Sequence, residues 1–368
     1  MTNNYKICER CVMDNASDGT ITFDENGFCN YCSESIEKMK FTYFPNDEGE
    51  VKLKNMIAKL KKEGENKKYD CLMGISGGLD SSYLLYLGSK WSLRILALHV
   101  DDGFNSDISE ANIERLIKAT NVDYIVKTPD RVQYNALVKA YIKAGVPNLA
   151  IPQDNILFAY LYKYARKYKI NNFLSGGNFA LESILQQGNT YRAFDVVNIK
   201  AIHKKFSSQP IDKLPLLSDY RRFIDQKILS IKTHRPLNYI EYNRDQALNE
   251  LYDFCDFEYY GSKHLENTLT EFIQVYWFYN KYGVDKRRSH LSSMIVSNQI
   301  SREQALNELK NPLYDENEIT NKIFDICKKL NLSNVEFKNV MNEKPKQHTD
   351  YPIDNFYILF KKMFSRWI

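Results

Sequence analysis

Residues 76–82 combine the glycine, hydroxyl and carboxylate groups that could bind a diphosphate, in the order Ser76-Gly-Gly-Leu-Asp-Ser-Ser82. An apolar run, Leu72 to Ile75, comes before them, and a helical pattern follows. A strand that ends at two glycines and restarts as a helix places free backbone N–H groups at the positive end of a helix dipole. Glycine is needed because any side chain would block the close approach of the ligand. An ordinary Gly-Gly turn is the alternative interpretation.

The order of these residues differs from the Gly-x4-Gly-Lys-Ser/Thr phosphate loop, and no such loop occurs in the chain. It resembles the pyrophosphate (PP) loop of the ATP pyrophosphatases, which cleave ATP between the α and β phosphates and adenylate an oxygen of the substrate. Asp80 is the expected ligand of a magnesium ion beside the phosphates. The loop residues expected to bind ATP are Ser76, Gly77, Gly78, Asp80, Ser81 and Ser82.

Four cysteines near the N-terminus have the spacing of a metal site, Cys8-x2-Cys11 and, after seventeen residues, Cys29-x2-Cys32. This pattern predicts a four-thiolate zinc centre, and disulfides or an iron–sulfur cluster are the alternatives. A short hairpin between the two pairs would bring them together. Because four sulfurs leave no open coordination position, we expect a structural metal that contributes on the order of 10 kcal/mol to folding. Docking of nucleic acid by this module is a second hypothesis.

Two more segments end predicted strands with residues suited to a nucleotide site. Asp101 closes the second strand, where it would lie beside the ribose or adenine or would cap the next helix. A second pair of glycines, Gly176 and Gly177, closes a later strand and is followed by Asn178 and, one turn on, Glu182. Such a pair lets backbone approach phosphate or substrate from the other side. The alternative is a plain turn with Asn178 in a left-handed conformation.

A dense positive run, Lys286-Arg-Arg-Ser-His290, could neutralise triphosphate charge and stabilise the departing pyrophosphate. A solvated surface is the alternative, because most charge runs face water. The predicted catalytic residues are Asp80, Lys286 and His290.

The elements that position these residues alternate between apolar strands and helices, which indicates an α/β fold with a doubly wound parallel sheet. Strands are predicted at 69–75, 93–100, 122–127 and 172–175, and helices at 51–62, 80–89, 106–120 and 154–168. Ligands of such sheets bind at the carboxyl ends of the strands, where residues 76–82 lie. Helical spacing continues at 245–254, 265–282, 301–309 and 319–330. The predicted units are a zinc module (1–45), a PP-loop domain (46–230) and a helical region (231–368) that completes the substrate site.

The composition fits a cytoplasmic protein. The 368 residues are 43% hydrophobic and carry a net charge of +4, so nucleic-acid binding is neither required nor excluded. We expect no signal peptide and no membrane span. Seven cysteines indicate a reducing compartment. The apolar, basic tail 356–368 is expected to pack on the core, or else to dock a partner or a membrane surface.

The PP loop implies a reaction in which an amide or carbonyl oxygen becomes an AMP ester and a nucleophile such as ammonia or sulfide then displaces AMP. No glutamine-hydrolysing apparatus is evident: position 2 is threonine, and Cys71, Cys255 and Cys327 lack a nucleophile context. Ammonia would therefore come from a separate glutaminase subunit or from solution.

Taken together, the motifs resemble the N-acetyl-sugar amidotransferase family of bacterial surface-polysaccharide and pseudaminic or legionaminic acid biosynthesis. Besides the cysteines and the PP loop, the resemblance rests on Gly176-Gly-Asn-x3-Glu182, Tyr259-Tyr-Gly-x-Lys-His264 and Lys286-Arg-x2-His290-Leu-Ser, over almost the whole chain. It implies conversion of a sugar acetamido group to an acetamidino group, with ATP, Mg²⁺ and Zn²⁺ as cofactors. It also implies ammonia from a glutaminase and cyclase-like partner.

The resemblance further implies a nucleotide-sugar or nonulosonic acid substrate that faces the aromatic and charged residues of the C-terminal half. The residues expected to contact it are Glu182, Tyr259, Tyr260, Lys263, His264 and Arg287, and those expected to hold the nucleotide outside the loop are Asp101, Gly176, Gly177 and Asn178. A PP-loop enzyme that modifies tRNA, by thiolation or lysidine formation, is the first alternative. A zinc-ribbon scaffold with a degenerate nucleotide site is the second.

Overall fold

The computed structural model describes residues 5–261 and 265–363 and contains a five-stranded parallel sheet. The strands are β1 (Cys71–Gly74), β2 (Ile95–Val100), β3 (Asp123–Lys127), β4 (Asn172–Leu174) and β5 (Lys232–His234). Their order across the sheet is β3-β2-β1-β4-β5, with all neighbours parallel. The expected α/β fold with a doubly wound parallel sheet is therefore confirmed.

Helices precede, connect and follow the strands. Those before β1 are α1 (Asn30–Thr42) and α2 (Asp47–Gly64). Those between β1 and β5 are α3 (Leu79–Lys90), α4 (Asp107–Thr120), α5 (Arg131–Ala144), α6 (Ile151–Tyr168), α7 (Phe179–Glu182), α8 (Val196–Phe206) and α9 (Asp219–Lys227). Those after β5 are α10 (Arg244–Cys255), α11 (Thr268–Glu271), α12 (Phe278–Tyr282), α13 (Arg287–Val296), α14 (Arg302–Glu308), α15 (Glu316–Lys329), α16 (Asn334–Asn342) and α17 (Asn355–Met363).

Alternate residues of the central strands serve two different apolar cores. Met73 and Ile95 belong to a cluster with α3 and α10, whereas Leu72 and Leu96 belong to a cluster with α6. Since side chains of a strand alternate between its two faces, both faces of the sheet are apolar and both need a helical layer. This explains why the central strands appear in the sequence as uninterrupted apolar runs.

The predicted strands were found in place, but several elements were missed; besides α5 and β5 these are α1, α7, α8, α9, α13, α16 and α17. Helix α5 was not predicted, and β5 was hidden because Lys232-Thr-His234 is a short edge strand without an apolar run. β5 pairs with β4 although it lies beyond residue 230, so the sheet extends into the region predicted to be helical. The domain bounds themselves stay predictions.

The segment predicted as one helix, 265–282, is not a continuous α-helix. Asn267 accepts hydrogen bonds from the backbone N–H groups of Leu269 and Thr270, so the helix begins only after this cap. Residues Phe272–Trp277 then form a π-helical segment before α12. By contrast, the predicted helix 301–309 begins as expected, with a capping box of Ser301 and Gln304 at the start of α14.

The C-terminal helix α17 packs on α9. The ring centroid of Tyr357 lies 5.3 Å from that of Tyr220, and Tyr357 is buried. Phe356 and Leu359 on the same helix are exposed. Within the described ranges, no helix has both the length and the apolar character needed to cross a bilayer.

Candidate functional site

The loops that follow β1 and β4 meet at the centre of the sheet. These two strands are neighbours, but the chain continues from β1 toward β2 and from β4 toward β5, so a crevice opens between them. The loops touch: a Cβ on Gly176 would lie 2.9 Å from the carbonyl oxygen of Asp80. The two Gly-Gly motifs of the sequence thus belong to one site.

Gly77 makes the turn of the PP loop possible. Its φ is +78°, and a Cβ here would lie 2.4 Å from the carbonyl oxygen of Ser109 in α4. Gly78 then caps α3 in an extended conformation without a side-chain hydrogen bond. The loop therefore needs glycine at position 77 both for its dihedral angle and for its approach to α4.

The structure shows side-chain hydroxyl acceptors for three of the loop N–H groups, and the first is the Ser76 N–H, which donates to Ser81 Oγ (3.3 Å). The Gly78 N–H donates to Ser76 Oγ (3.1 Å), and the Leu79 N–H donates to the hydroxyl of Tyr260 (2.9 Å). Ser82 is fully buried beneath the loop, and its hydroxyl has no partner among the described residues. A bound ligand would therefore contact hydroxyl groups, which can rotate away from the backbone N–H groups, as well as the N–H groups themselves.

Asp80 is held by a residue that the sequence did not identify. The hydroxyl of Tyr242 donates to Asp80 Oδ1 at 2.5 Å. Tyr242 is buried, and burial together with the neighbouring carboxylate raises the pKa of its phenol well above the usual value. Because the two residues are 162 positions apart, no local pattern could reveal this contact.

A smaller cavity of about 210 Å³ lies beside the N-terminus of α3. Ten of the predicted site residues line it: Ser76, Gly78, Asp80, Ser81, Gly176, Gly177, Glu182, Tyr259, Tyr260 and His290. Charged residues that the sequence analysis missed also line it: Arg244, Glu266 and Glu308. The predicted diphosphate and substrate residues are therefore largely brought together.

A larger cavity of about 860 Å³ lies between the sheet and α6 and extends along the carboxyl ends of β2, β1, β4 and β5. It shares Ser76, Gly176 and Glu266 with the smaller cavity, so both open onto the PP loop. Ser76 Oγ and Glu266 Oε1 are 3.4 Å apart. Nothing in the sequence around Glu266 indicated that it would reach the loop.

At the end of β2, Asp102 rather than Asp101 lines the larger cavity. Burial opposes ionisation of Asp101, but the Arg131 guanidinium at 2.6 Å and the Gly103 N–H hold the pKa of its carboxyl below the usual value. The suggestion that Asp101 caps the next helix is wrong, because Ser106 caps α4. Asp102 accepts hydrogen bonds from four groups: Phe104 N–H, Tyr134, Gln153 and Asn267.

Asn178 is not left-handed, so that alternative for the second Gly-Gly loop is wrong. Its φ is −140°, and its side chain accepts a hydrogen bond from the Leu181 N–H to cap α7. Gly177 N–H donates to Ser175 Oγ at 3.2 Å. Asn178 therefore orients the helix that carries Glu182 into the smaller cavity.

The side chains of the positive run 286–290 lie in different parts of the structure. Lys286 lines the larger cavity, where burial lowers the pKa of its ammonium group to about 8. His290 lines the smaller one, with Nδ1 3.0 Å from the carbonyl oxygen of Leu181. Arg287 binds Asp285 at 2.7 Å and lines neither cavity in the described part of the chain. Lys263 and His264 lie outside the described residues, so their roles stay predictions.

The four cysteines of the N-terminal module converge on one point. Their sulfur atoms all lie within 4.8 Å of one another, with Cys8–Cys32 at 3.7 Å and Cys11–Cys29 at 3.6 Å. A tetrahedral ion with metal–sulfur bonds near 2.3 Å would place its ligands about 3.8 Å apart. The Cys29 N–H also donates to Cys8 Sγ at 3.1 Å, which favours a thiolate. The geometry fits a single bound metal ion.

This cysteine module is packed against α13, the helix that carries His290. Arg288 forms an ion pair with Asp14 at 2.7 Å, and both side chains are largely buried. Arg302 donates to the carbonyl oxygens of Cys8 and Cys11. The module therefore supports the C-terminal wall of the site.

Comparison with solved structures gave likenesses of low identity. NMN synthetase from Francisella tularensis is 19% identical (66% of this chain, 97% of that chain, TM-score 0.30). The NH3-dependent NAD synthetase from Campylobacter jejuni is 15% identical (61% and 93%, TM-score 0.29). The U34-tRNA thiolase NcsA from Methanococcus maripaludis, with its [4Fe-4S] cluster, is 13% identical (83% and 88%, TM-score 0.34).

Two comparisons of the sequence itself with known proteins also gave matches. Uncharacterized protein MJ1599 of Methanocaldococcus jannaschii is 29% identical over 140 residues, which are 38% of this chain and about half (47%) of that protein. Residues 266–364 match the family model of the LPS biosynthesis protein WbpG-like, C-terminal domain. The matched segment contains Glu266, Lys286 and His290 of the two cavities. Through residues 266–364, this chain thus resembles the WbpG-like proteins of LPS biosynthesis, in agreement with the surface-polysaccharide resemblance of its motifs.

Proposed function

We propose that this protein is an ATP-dependent, AMP-forming ligase that converts an acetamido group of a sugar to an acetamidino group during LPS or related glycan biosynthesis. The observation that carries the proposal is the PP loop at the switch point of the sheet, open to two cavities. The WbpG-like match of residues 266–364 supports the polysaccharide context.

ATP would lie across the carboxyl ends of the central strands. Its diphosphate would contact the N-terminus of α3 and the hydroxyls of Ser76 and Ser81, and its adenosine would enter the larger cavity toward β2. There His99 ties β2 to the loop: its two ring nitrogens lie 2.9 Å from the carbonyl oxygen of Ile75 and 3.0 Å from Asn105 Nδ2. The volume of about 860 Å³ is at the upper end of ordinary ligand pockets, which span about 300–1,000 Å³.

The carboxylates at the loop fit a magnesium complex of the nucleotide. Asp80 and Glu266 both line the smaller cavity beside the expected diphosphate, which two carboxylates would otherwise repel. When bound, Mg²⁺ would neutralise phosphate charge and polarise the bond that breaks. Tyr242 would keep Asp80 in a fixed rotamer for this task.

The reaction would proceed in two steps. The amide oxygen of the acetamido group attacks the α phosphorus of ATP, and pyrophosphate leaves. Ammonia then adds to the activated carbon, loses a proton and expels AMP, so one oxygen is exchanged for NH. His290, which lines the smaller cavity, would accept the proton, and Lys286 in the larger cavity would offset negative charge that develops on the phosphates.

The ammonia would come from a separate glutaminase and cyclase-like subunit. The cysteines outside the metal module, Cys71, Cys255 and Cys327, are buried in the described chain. Burial raises the pKa of the Cys327 thiol to about 11 and raises that of Cys71 further, so neither is a ready nucleophile. Zinc is the proposed metal of the four-cysteine module, because four thiolates in a tetrahedron are its usual structural site.

Mass spectrometry of products tests the proposed reaction. Purified protein with ATP, Mg²⁺ and ammonium would be given a panel of acetamido sugars, and one product should show exchange of one oxygen for NH together with AMP and pyrophosphate. Asp80→Asn should abolish turnover. Asp107→Asn, an exposed aspartate in the first turn of α4, is the matched control and should leave it unchanged. Formation of ADP, or turnover with tRNA but with no acetamido sugar, would refute the proposal.

A further inference from the structure

The larger cavity has two arginines, Arg222 and Arg235, at the end formed by β5 and α9. We propose that this end binds an anionic group, a phosphate or a carboxylate, of the sugar acceptor, and so makes the enzyme selective for charged over neutral acetamido sugars. The inference rests on the proposed function and assigns part of the same site.

Arg235 is the first residue after β5, at the carboxyl edge of the sheet. Its side chain is exposed, and no hydrogen bond or ion pair joins it to another described residue. Its Nε lies 3.8 Å from the place that a Cβ on Gly177 would occupy, so the guanidinium stands beside the second Gly-Gly loop. Most other described arginines bind a carboxylate or a carbonyl oxygen, which leaves Arg235 available to a ligand.

Arg222 is oriented but incompletely neutralised. Its guanidinium carbon lies over the ring of Phe194, 4.3 Å from the centroid, and both residues line the cavity. Its carboxylate contact, with Asp219, is long at 3.4 Å, whereas Arg192 binds the same aspartate at 2.7 Å. Its Nε is buried without a partner in the described chain.

The side chains that form ion pairs around α9 carry an excess of positive charge. Four arginines form ion pairs with three buried aspartates, so this cluster has a formal charge of +1 without Arg235. The arginines are Arg166, Arg192, Arg221 and Arg222, and the aspartates are Asp195, Asp219 and Asp225. Guanidinium groups bind phosphate and carboxylate through two parallel hydrogen bonds. These two anions are therefore the preferred ligands for the excess positive charge. A neutral sugar would leave the charge uncompensated.

The order of the strands separates this end from the expected adenosine position. β2 and β5 lie on opposite sides of β1 and β4, which is three strand spacings or about 14 Å. Asp102 and Asn105 line the cavity near β2, and Thr233 and Arg235 line it near β5, with Ser76 and Gly176 between them. An acceptor anchored at the arginines could thus present its acetamido group at the loop, where the α phosphate of ATP is expected.

Binding of named probes to the full-length protein tests the inference. Isothermal titration calorimetry would use UDP-N-acetylglucosamine (a diphosphate), N-acetylneuraminic acid (a carboxylate) and neutral N-acetylglucosamine. We expect at least one anionic probe to bind more tightly than the neutral sugar. Arg235→Gln should weaken that binding about 10- to 100-fold, the usual effect of losing a charge-assisted hydrogen bond, and Arg235→Lys should restore part of it. ATP affinity should not change.

Lys232→Gln provides the control, since Lys232 is an exposed cation on β5, three residues before Arg235, and does not line the cavity in the described chain. It should bind all three probes as the wild type does. The inference is overturned if neither anionic probe binds better than the neutral sugar, if Arg235→Gln binds the probes normally, or if it weakens ATP instead. Probe binding that depends on Arg235 without any amidine product would uphold the anion site and refute the proposed reaction.

Discussion

Replacement of Gly77 by alanine should damage the PP loop in a way that the structure quantifies. The φ of +78° costs an L-residue about 1–2 kcal/mol. The new Cβ would also lie 2.4 Å from the carbonyl oxygen of Ser109, a backbone atom in the first turn of α4 that cannot rotate away. Relief of such overpacking costs about 1–3 kcal/mol more, so Gly77→Ala should lower the free energy of unfolding by about 2–5 kcal/mol.

The variant Gly283→Ala separates the conformational cost of a positive φ from the cost of the steric contact. Gly283 also has a positive φ, +68°, but a Cβ there would meet no atom within 4 Å. This control should therefore lose only the conformational part, about 1–2 kcal/mol. The difference between the two variants measures the contact between the loop and α4.

Urea unfolding followed by circular dichroism would give both stabilities, and calorimetry would give the affinity for ATP. Gly77→Ala should bind ATP at least tenfold more weakly even where it is fully folded, because the shifted loop no longer directs its N–H groups to one point. If Gly77→Ala were as stable as Gly283→Ala and bound ATP like the wild type, the close approach of loop and α4 would have no functional role.

Three further predictions follow from the site. Tyr260→Phe leaves the Leu79 N–H without its acceptor, so calorimetry should show a loss of about 1–3 kcal/mol in stability, and an unchanged value would contradict the hydrogen bond. Burial lowers the pKa of the Lys286 ammonium group from 10.5 to about 8, so folding disfavours its charged form. The free energy of unfolding should therefore rise between pH 8 and pH 10. Urea titrations should show that Lys286→Met flattens this rise. Cys11→Ser should abolish metal binding in elemental analysis and speed amide hydrogen exchange in α13, which the module contacts through Asp14 and Val12; unchanged exchange would show that the module does not support this helix.

Local patterns in the sequence were sufficient for strands β1–β4 and for the two chemical motifs, but not for the buried helix α5. The apolar runs of β1 and β2 predict buried strands because both faces of the sheet are covered by helices. The glycines of the PP loop and the paired cysteines are also local signals, since each contains its own turn. β5 is the exception: an exposed edge strand of three residues has little apolar surface to bury, and so it leaves no pattern.

Only the tertiary structure decided which charged residues meet at the site. The sequence presents Lys286, Arg287 and His290 as one basic run, but the folded chain sends them to the larger cavity, to Asp285 and to the smaller cavity. It likewise brings Tyr242 to Asp80 and Glu266 to the PP loop. These partners are separated by 162 and 190 positions, and helix packing sets their distances. Residue type and spacing therefore determined what chemistry the chain can perform, while long-range packing determined where each group performs it.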